Sequence, residues 1–267
     1  MNRRIDSSLY RSSAKQASTS SNQALAYLKY TRALKTQPND HTTLHKIFAI
    51  LYHQQKFKLA EAKIRKVLII NPNNPRAYFN RGVVLDVLEK YKESERAYCQ
   101  CIKYDKKMRY ASSFRNLAAA LMKQGRYKEA LKFGEKAIRL MSHDGIAYNV
   151  LGRIHFLQGK YDKAIENYEK GIELAPNEWI IYLNKAIALW LLEKKEEAEF
   201  TLEMMKRVME KAGKRNFKEE VEACLKEMGR LGEKNEEFEQ TKGGATFIEG
   251  IQLILSYMET ELGAPKL

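Results

Sequence analysis

Cysteine is scarce: only Cys99, Cys101 and Cys224 occur in 267 residues. They form neither a disulfide framework nor a CxxC pair, so a stapled secreted domain and a paired-thiol motif are both excluded. Cys101 falls on the packed face of its helix and Cys99 elsewhere, and the thiols read as buried or incidental groups in a reducing compartment. No apolar run approaches the roughly 18 residues needed to span a bilayer, and no transmembrane segment is expected. The opening stretch MNRRIDSSLYRSSAKQASTSSNQ lacks the apolar core of a secretory signal. It is basic and serine-rich, and a frayed first helix is expected there, with an organelle presequence as the alternative. The cytoplasm is the expected location, a ciliary or organellar one the alternative.

Reactive motifs are missing as well. Gly243-Gly244 has neither the further glycines nor the lysine-serine pair of a phosphate loop. No nucleophile elbow occurs. Glu196-Glu197 and Glu219-Glu220 are adjacent in sequence, which sends the members of each pair to different parts of a helix surface. Of five histidines, His41 and His45 share a helix face with His53 two turns on, but no cysteine joins them and only Asp40 stands near, so no metal is expected. His155 reads as a core or half-core histidine with its nitrogen satisfied. The chain is expected to be non-catalytic and to need no cofactor.

What the chain has is a period. Gly125-Arg126-Tyr127 returns in kind as Gly159-Lys160-Tyr161, 34 residues later. An aromatic opens a helix at Phe57, Tyr91, Tyr127 and Tyr161, and three residues on stand the small residues Ala60, Ser94, Ala130, Ala164 and, after the fifth turn, Ala198. Earlier in each unit an aromatic precedes a small residue by four: Tyr78/Gly82, Phe114/Ala118, Tyr148/Gly152 and Tyr182/Ala186. Residues four apart share a helix face, and the small one lets a neighbouring helix approach. Pro38, Pro72 and Pro176 close units, because proline lacks the amide donor and clashes with the turn before it. A repeat of this length, too short to bury a core alone, must stack on its neighbours.

The pattern resembles the tetratricopeptide repeat family. In 145–178, GIAYNVLGRIHFLQGKYDKAIENYEKGIELAPNE, Tyr148, Leu151, Gly152, Tyr161, Ala164, Tyr168 and Pro176 stand at the signature positions. The resemblance implies an all-α superhelix, a solenoid of about six units at 8–40, 41–74, 75–108, 109–144, 145–178 and 179–212. Residues 1–20 form a basic serine-rich segment overlapping a degenerate first helix. The unit 109–144 carries two extra residues near Asp105 to Arg109, and 179–212 has lost its turn glycine and closing proline. A capping helix is expected over 213–231, a polar linker over 232–244 and an amphipathic helix over 245–267.

In that family the first helix of each pair lines the concave side. The resemblance then implies an inner row of Arg76, Phe79, Val83, Asp86 and Val87, followed by Ser112, Arg115, Ala119, Met122 and Lys123. It becomes apolar at Ile146, Asn149, Arg153, Phe156 and Leu157, and ends with Ile180, Leu183, Ile187, Trp190 and Leu191. An exposed apolar strip of this kind marks a site that something covers. The candidates are an external helix or peptide, the chain's own segment 247–262, or self-association. The carboxylate clamp of chaperone-binding relatives is absent at the matching positions, although Asn149, Arg153 and Arg115 offer a small polar cluster.

Charge is uneven. Lys and Arg number 47 against 33 acids, a net +14, and residues 91–140 hold thirteen cations against five acids. Lys103, Lys106, Lys107, Arg109, Arg115, Lys123, Arg126 and Lys128 form a basic patch. Such a field favours an acidic protein segment, an anionic membrane surface or nucleic acid. No nucleic-acid module is visible, and the aromatics sit at packing positions, so nucleic acid is not the expected partner. The sequence therefore reads as a scaffold or adaptor for one or more proteins, with a structural subunit of a ciliary or transport assembly and an anionic-surface adaptor as alternatives.

Overall fold

Apolar residues at three- and four-residue spacing become helices throughout the computed structural model, which describes residues 20–213 together with Val221 and Lys226. The capping helix, linker and last helix expected after residue 213, the N-terminal segment and its first helix, and the proposed covering segment 247–262 lie outside the described residues, apart from those isolated positions and Ser20. Among the described residues there are eleven helices and no strand. They are α1 (Ser20–Thr36), α2 (His41–His53), α3 (Phe57–Ile70), α4 (Pro75–Val87), α5 (Tyr91–Tyr104), α6 (Ser112–Lys123), α7 (Tyr127–Leu140), α8 (Gly145–Leu157), α9 (Tyr161–Leu174), α10 (Trp179–Leu191) and α11 (Lys195–Lys211). The fold is all-α, a helical repeat of the solenoid class.

The chain divides between Ala120 and Leu121 into two compact units. In the first, α2 pairs with α3 and α4 with α5, while α1 packs on α2 and α3 on α4. Leu44, Ile47, Phe48 and Leu51 of α2 meet Ala60, Ile64 and Val67 of α3, and Tyr27, Tyr30 and Leu34 of α1 close over them. In the second, α8 pairs with α9 and α10 with α11, and α7 packs on α8 and α9 on α10.

One turn recurs inside the hairpins. Gln55, Glu89, Gly125, Gly159 and Glu193 all take the left-handed backbone, with φ between 59° and 78°. The residue after each donates its amide back to the preceding helix: Lys56 to Leu51 at 2.8 Å, Lys90 to Leu85 at 2.9 Å, and Arg126 to Leu121, Lys160 to His155 and Lys194 to Leu189 at 3.0 Å each. This closure satisfies carbonyls left free at a helix end. Three first helices, α2, α4 and α8, start on conventional caps, where Asp40, Asn74 and Asp144 accept amides of their own first turns. Second helices start on Lys56, Lys90, Arg126, Lys160 and Lys194, none with a side-chain cap.

Close approach at the glycines is real. A Cβ at Gly82 or Gly152 would collide with the ring of Tyr98 or Tyr168. Both tyrosines are fully buried, so the ring has no room to retreat. The histidine expectation needs correction: His155 is half-buried and its Nδ1 has no hydrogen-bond partner. Burial and the neighbouring Lys160 and Lys163 hold its imidazole neutral by lowering its pKa.

Candidate functional site

The inner rows of α8 and α10 lie in the second unit. Asn184 of α10 donates through its side-chain amide to the Asn149 oxygen of α8 at 2.8 Å, and both residues are buried. A buried carboxamide must be paired, and this bond fixes the two helices in register. Around it the expected strip is largely covered. Leu183 is 0 % exposed, Ile187 1 %, Phe156 1 % and Leu157 3 %. These four, with Asn149, belong to the interior of the chain and not to an open surface. The half-buried members of the row are Ile146, Arg153, Ile180, Trp190 and Leu191.

The reason lies in packing. Phe156 lies against Tyr161, with ring centroids 5.4 Å apart, so it fills its own hairpin. In the first unit the same register holds Asp86, whose carboxylate accepts from Ser94 and from Tyr98 at 2.8 Å inside the α4–α5 hairpin. Phe79 and Val83 are buried too. A residue rule for the inner face says which way a position points, and neighbouring helices then decide whether water reaches it.

A second polar link crosses one helix pair in the first unit. The Asn80 side-chain amide lies 3.4 Å from Nδ1 of buried His45, whose Nε2 has no partner. Burial first, then the nearby Arg76 and His41, lowers the His45 pKa to about 4 and keeps the ring neutral. His45 therefore serves as a packed neutral group. Among the described residues, no three His, Cys, Asp or Glu side chains gather as a metal set.

The basic patch is also redrawn. Lys103, Lys106, Lys107 and Arg109 are exposed at the end of α5 and in the turn after it. Arg115 is 4 % exposed and donates to the Asn116 side-chain oxygen at 3.2 Å, so it leaves the surface. Arg126 is half-buried and forms a two-pronged pair with Glu129, both contacts at 2.7 Å. Lys123 is half-buried and Lys128 exposed; these two and Arg126 belong to the second unit. Neighbouring-chain spacing hid these distinctions, since a run of Lys and Arg does not reveal which of them turn inward.

No helix among the described residues is long and apolar enough to cross a membrane. Two tetratricopeptide repeat models match, one over residues 75–108 and the other over 109–177. No curated protein matches the chain. Among solved structures, MamA is similar at 23 % identity and a TM-score of 0.53, over 66 % of this chain and 96 % of that one. YrrB, described as a TPR protein with an unusual peptide-binding site, is similar at 22 % identity and a TM-score of 0.51, over 67 % and 91 %. A tetratricopeptide repeat protein from Parabacteroides merdae has 14 % identity and a TM-score of 0.60, over 87 % and 92 %. At these identities the likeness speaks for the fold alone. With helical hairpins on both sides of the matched stretch, the chain carries tetratricopeptide repeats over residues 75–177.

Proposed function

We propose that the protein is a non-catalytic scaffold that holds a segment of another protein against the inner row of its second unit. The observation that carries this reading is the half-buried set Ile146, Ile180, Trp190 and Leu191, with Arg153 as its one charge, beside the rigid Asn149–Asn184 link. Partly exposed apolar side chains on fixed helices are anchors for an apolar helix or peptide. Arg153 suits a carboxylate or a backbone carbonyl of the guest. A peptide-binding site in YrrB, which has the same fold, supports the class of ligand. The cytosol fits a thiol held outside any disulfide, such as the buried Cys101.

The test compares Ile180→Asp and Trp190→Asp with Ile69→Asp, a change at a side chain 79 % exposed in the first unit. Partners captured from native cells by the wild-type chain are first identified, then titrated against the three variants, with circular dichroism confirming the helices. Loss of an anchor should weaken binding about thirtyfold or more in the first two, while Ile69→Asp stays near wild type. Equal affinity across all three would overturn the assignment.

A further inference from the structure

Helix α5 carries a second surface, in the first unit. Lys92, Arg96, Cys99 and Lys103 are spaced by four, three and four residues and all are exposed, which makes them one outward face. The opposite face, Ser94, Ala97, Tyr98 and Cys101, is buried. In the turn that follows the helix stand the exposed Lys106, Lys107 and Arg109, and between them Met108 is 46 % exposed with φ at 51°. That backbone region is uncommon for a residue with a Cβ. It is also the one left-handed position among the described residues that lies outside the hairpin turns and the end of α11.

Two of the nearby acids are engaged away from the row. Asp105 is buried, and its carboxylate accepts the Tyr110 amide at 2.6 Å. Glu93 faces Lys90 at 3.5 Å and Arg81 at 4.0 Å. Among the described residues none of the six cations forms an ion pair; Lys103 lies 5.3 Å from the centre of the Tyr104 ring. Tyr104 is itself half-buried and stacked on Tyr78 at 5.8 Å, so the row offers no free aromatic face to a nucleobase. Four of the six are lysines, point charges without the fork that reads phosphate geometry.

We propose that Lys92, Arg96, Lys103, Lys106, Lys107 and Arg109, with Met108 at the turn, form a docking strip for an anionic lipid bilayer. A polyanion in solution would meet the charges but leave the methionine in water. A bilayer meets both, since lysines rest at the charged headgroups while an apolar side chain enters the acyl boundary. Clusters of four to eight cations are the usual size of such an electrostatic footprint. One apolar side chain gives no stable anchor, so the attachment is reversible.

The experiment is co-sedimentation of the full chain with vesicles of phosphatidylcholine, with or without phosphatidylserine. Binding is expected only to the anionic vesicles, and it should fall as salt rises from about 50 to about 200 mM. Each lost cation should cut the partition about fivefold, so Lys106→Gln with Lys107→Gln should lower it about 25-fold. Met108→Ser should weaken vesicle binding while leaving retention on soluble poly-glutamate unchanged. Equal binding to neutral vesicles, or a Met108→Ser variant that binds anionic vesicles as well as wild type, would overturn the proposal. So would tighter capture of poly-glutamate or of single-stranded RNA than of the anionic vesicles. All these side chains are exposed, and circular dichroism separates loss of docking from loss of fold. The strip and the proposed groove share no residue, so either can fail alone.

Discussion

Tyr98 and Tyr168 stand at equivalent places in α5 and α9, each lying against a glycine of the preceding helix. Their hydroxyls differ. Tyr98 donates to Asp86 at 2.8 Å, and burial together with that carboxylate pushes its pKa well up. In the other hairpin Phe156 takes the place of the aspartate, and the buried Tyr168 hydroxyl has no partner. One substitution should therefore have two signs. Tyr98→Phe strips a hydrogen bond from a buried carboxylate and should cost about 2 kcal/mol. Tyr168→Phe removes an unsatisfied group and should be neutral or stabilise by up to about 1 kcal/mol. Urea midpoints of the two variants decide it, and matched losses would mean that the aspartate bond contributes nothing. His45 makes a pH statement at the same scale. Its pKa falls from 6.5 to about 4 on folding, so above 6.5 neither state carries the proton. As pH drops the unfolded chain takes it up first. Stability should decline between about 6.5 and 4, by no more than about 3 kcal/mol from this group. In His45→Gln, denaturation at several pH values should show a shallower decline.

The hairpin turn is the element that repeats most faithfully, and it does so through backbone rather than residue type. Glycine supplies the left-handed conformation at Gly125 and Gly159, but Gln55, Glu89 and Glu193 adopt it too. The last unit's missing turn glycine therefore marks a change of side chain without a change of turn. A residue with a Cβ pays a penalty in that region that glycine avoids. Glu89→Gly and Glu193→Gly should each raise stability by roughly 0.5 to 1 kcal/mol, and Gly159→Ala should lower it by about 1 kcal/mol. Thermal midpoints that move the other way would show that side-chain contacts, not φ, govern the turn. Helix starts give a second expectation. Lys160 caps α9 with a positive charge where the helix dipole is positive, and the third residue on is Lys163. Lys160→Asp should stabilise by about 1 kcal/mol, read as a rise in melting temperature. Arg126, whose charge is held by Glu129, should gain less from the same change. Such caps escape a reading of periodicity, because the period records faces and the cap is a local hydrogen bond.

At the scale of the whole molecule, the repeat was legible because each helix must bury one face, and burial leaves a spacing in the chain. Tyr148, Gly152, Tyr161 and Ala164 carry that spacing openly. The surface was harder to read. Leu183 and Ile187 follow the inner-face rule yet have no exposure, and Arg115 sits in a basic run yet is buried beside Asn116. Coverage depends on what other helices bring across the face, which no local spacing encodes. The two remaining surfaces differ in physics, and that difference gives a test of the protein as a whole. The half-buried row from Ile146 to Leu191 offers apolar contact with one guanidinium, whereas the strip from Lys92 to Arg109 offers six cations and one apolar side chain. Apolar burial is almost indifferent to ionic strength, and exposed charges lose most of their reach within a Debye length of about 8 Å at physiological salt. Raising salt from about 50 to about 200 mM should leave the partner titration at the inner row within a factor of about two, while vesicle binding falls steeply. Calorimetry of the first and sedimentation of the second, on one preparation, measure both. Parallel decline would place the partner's main contacts on the charged strip, and Ile180 and Trp190 would lose their role as anchors.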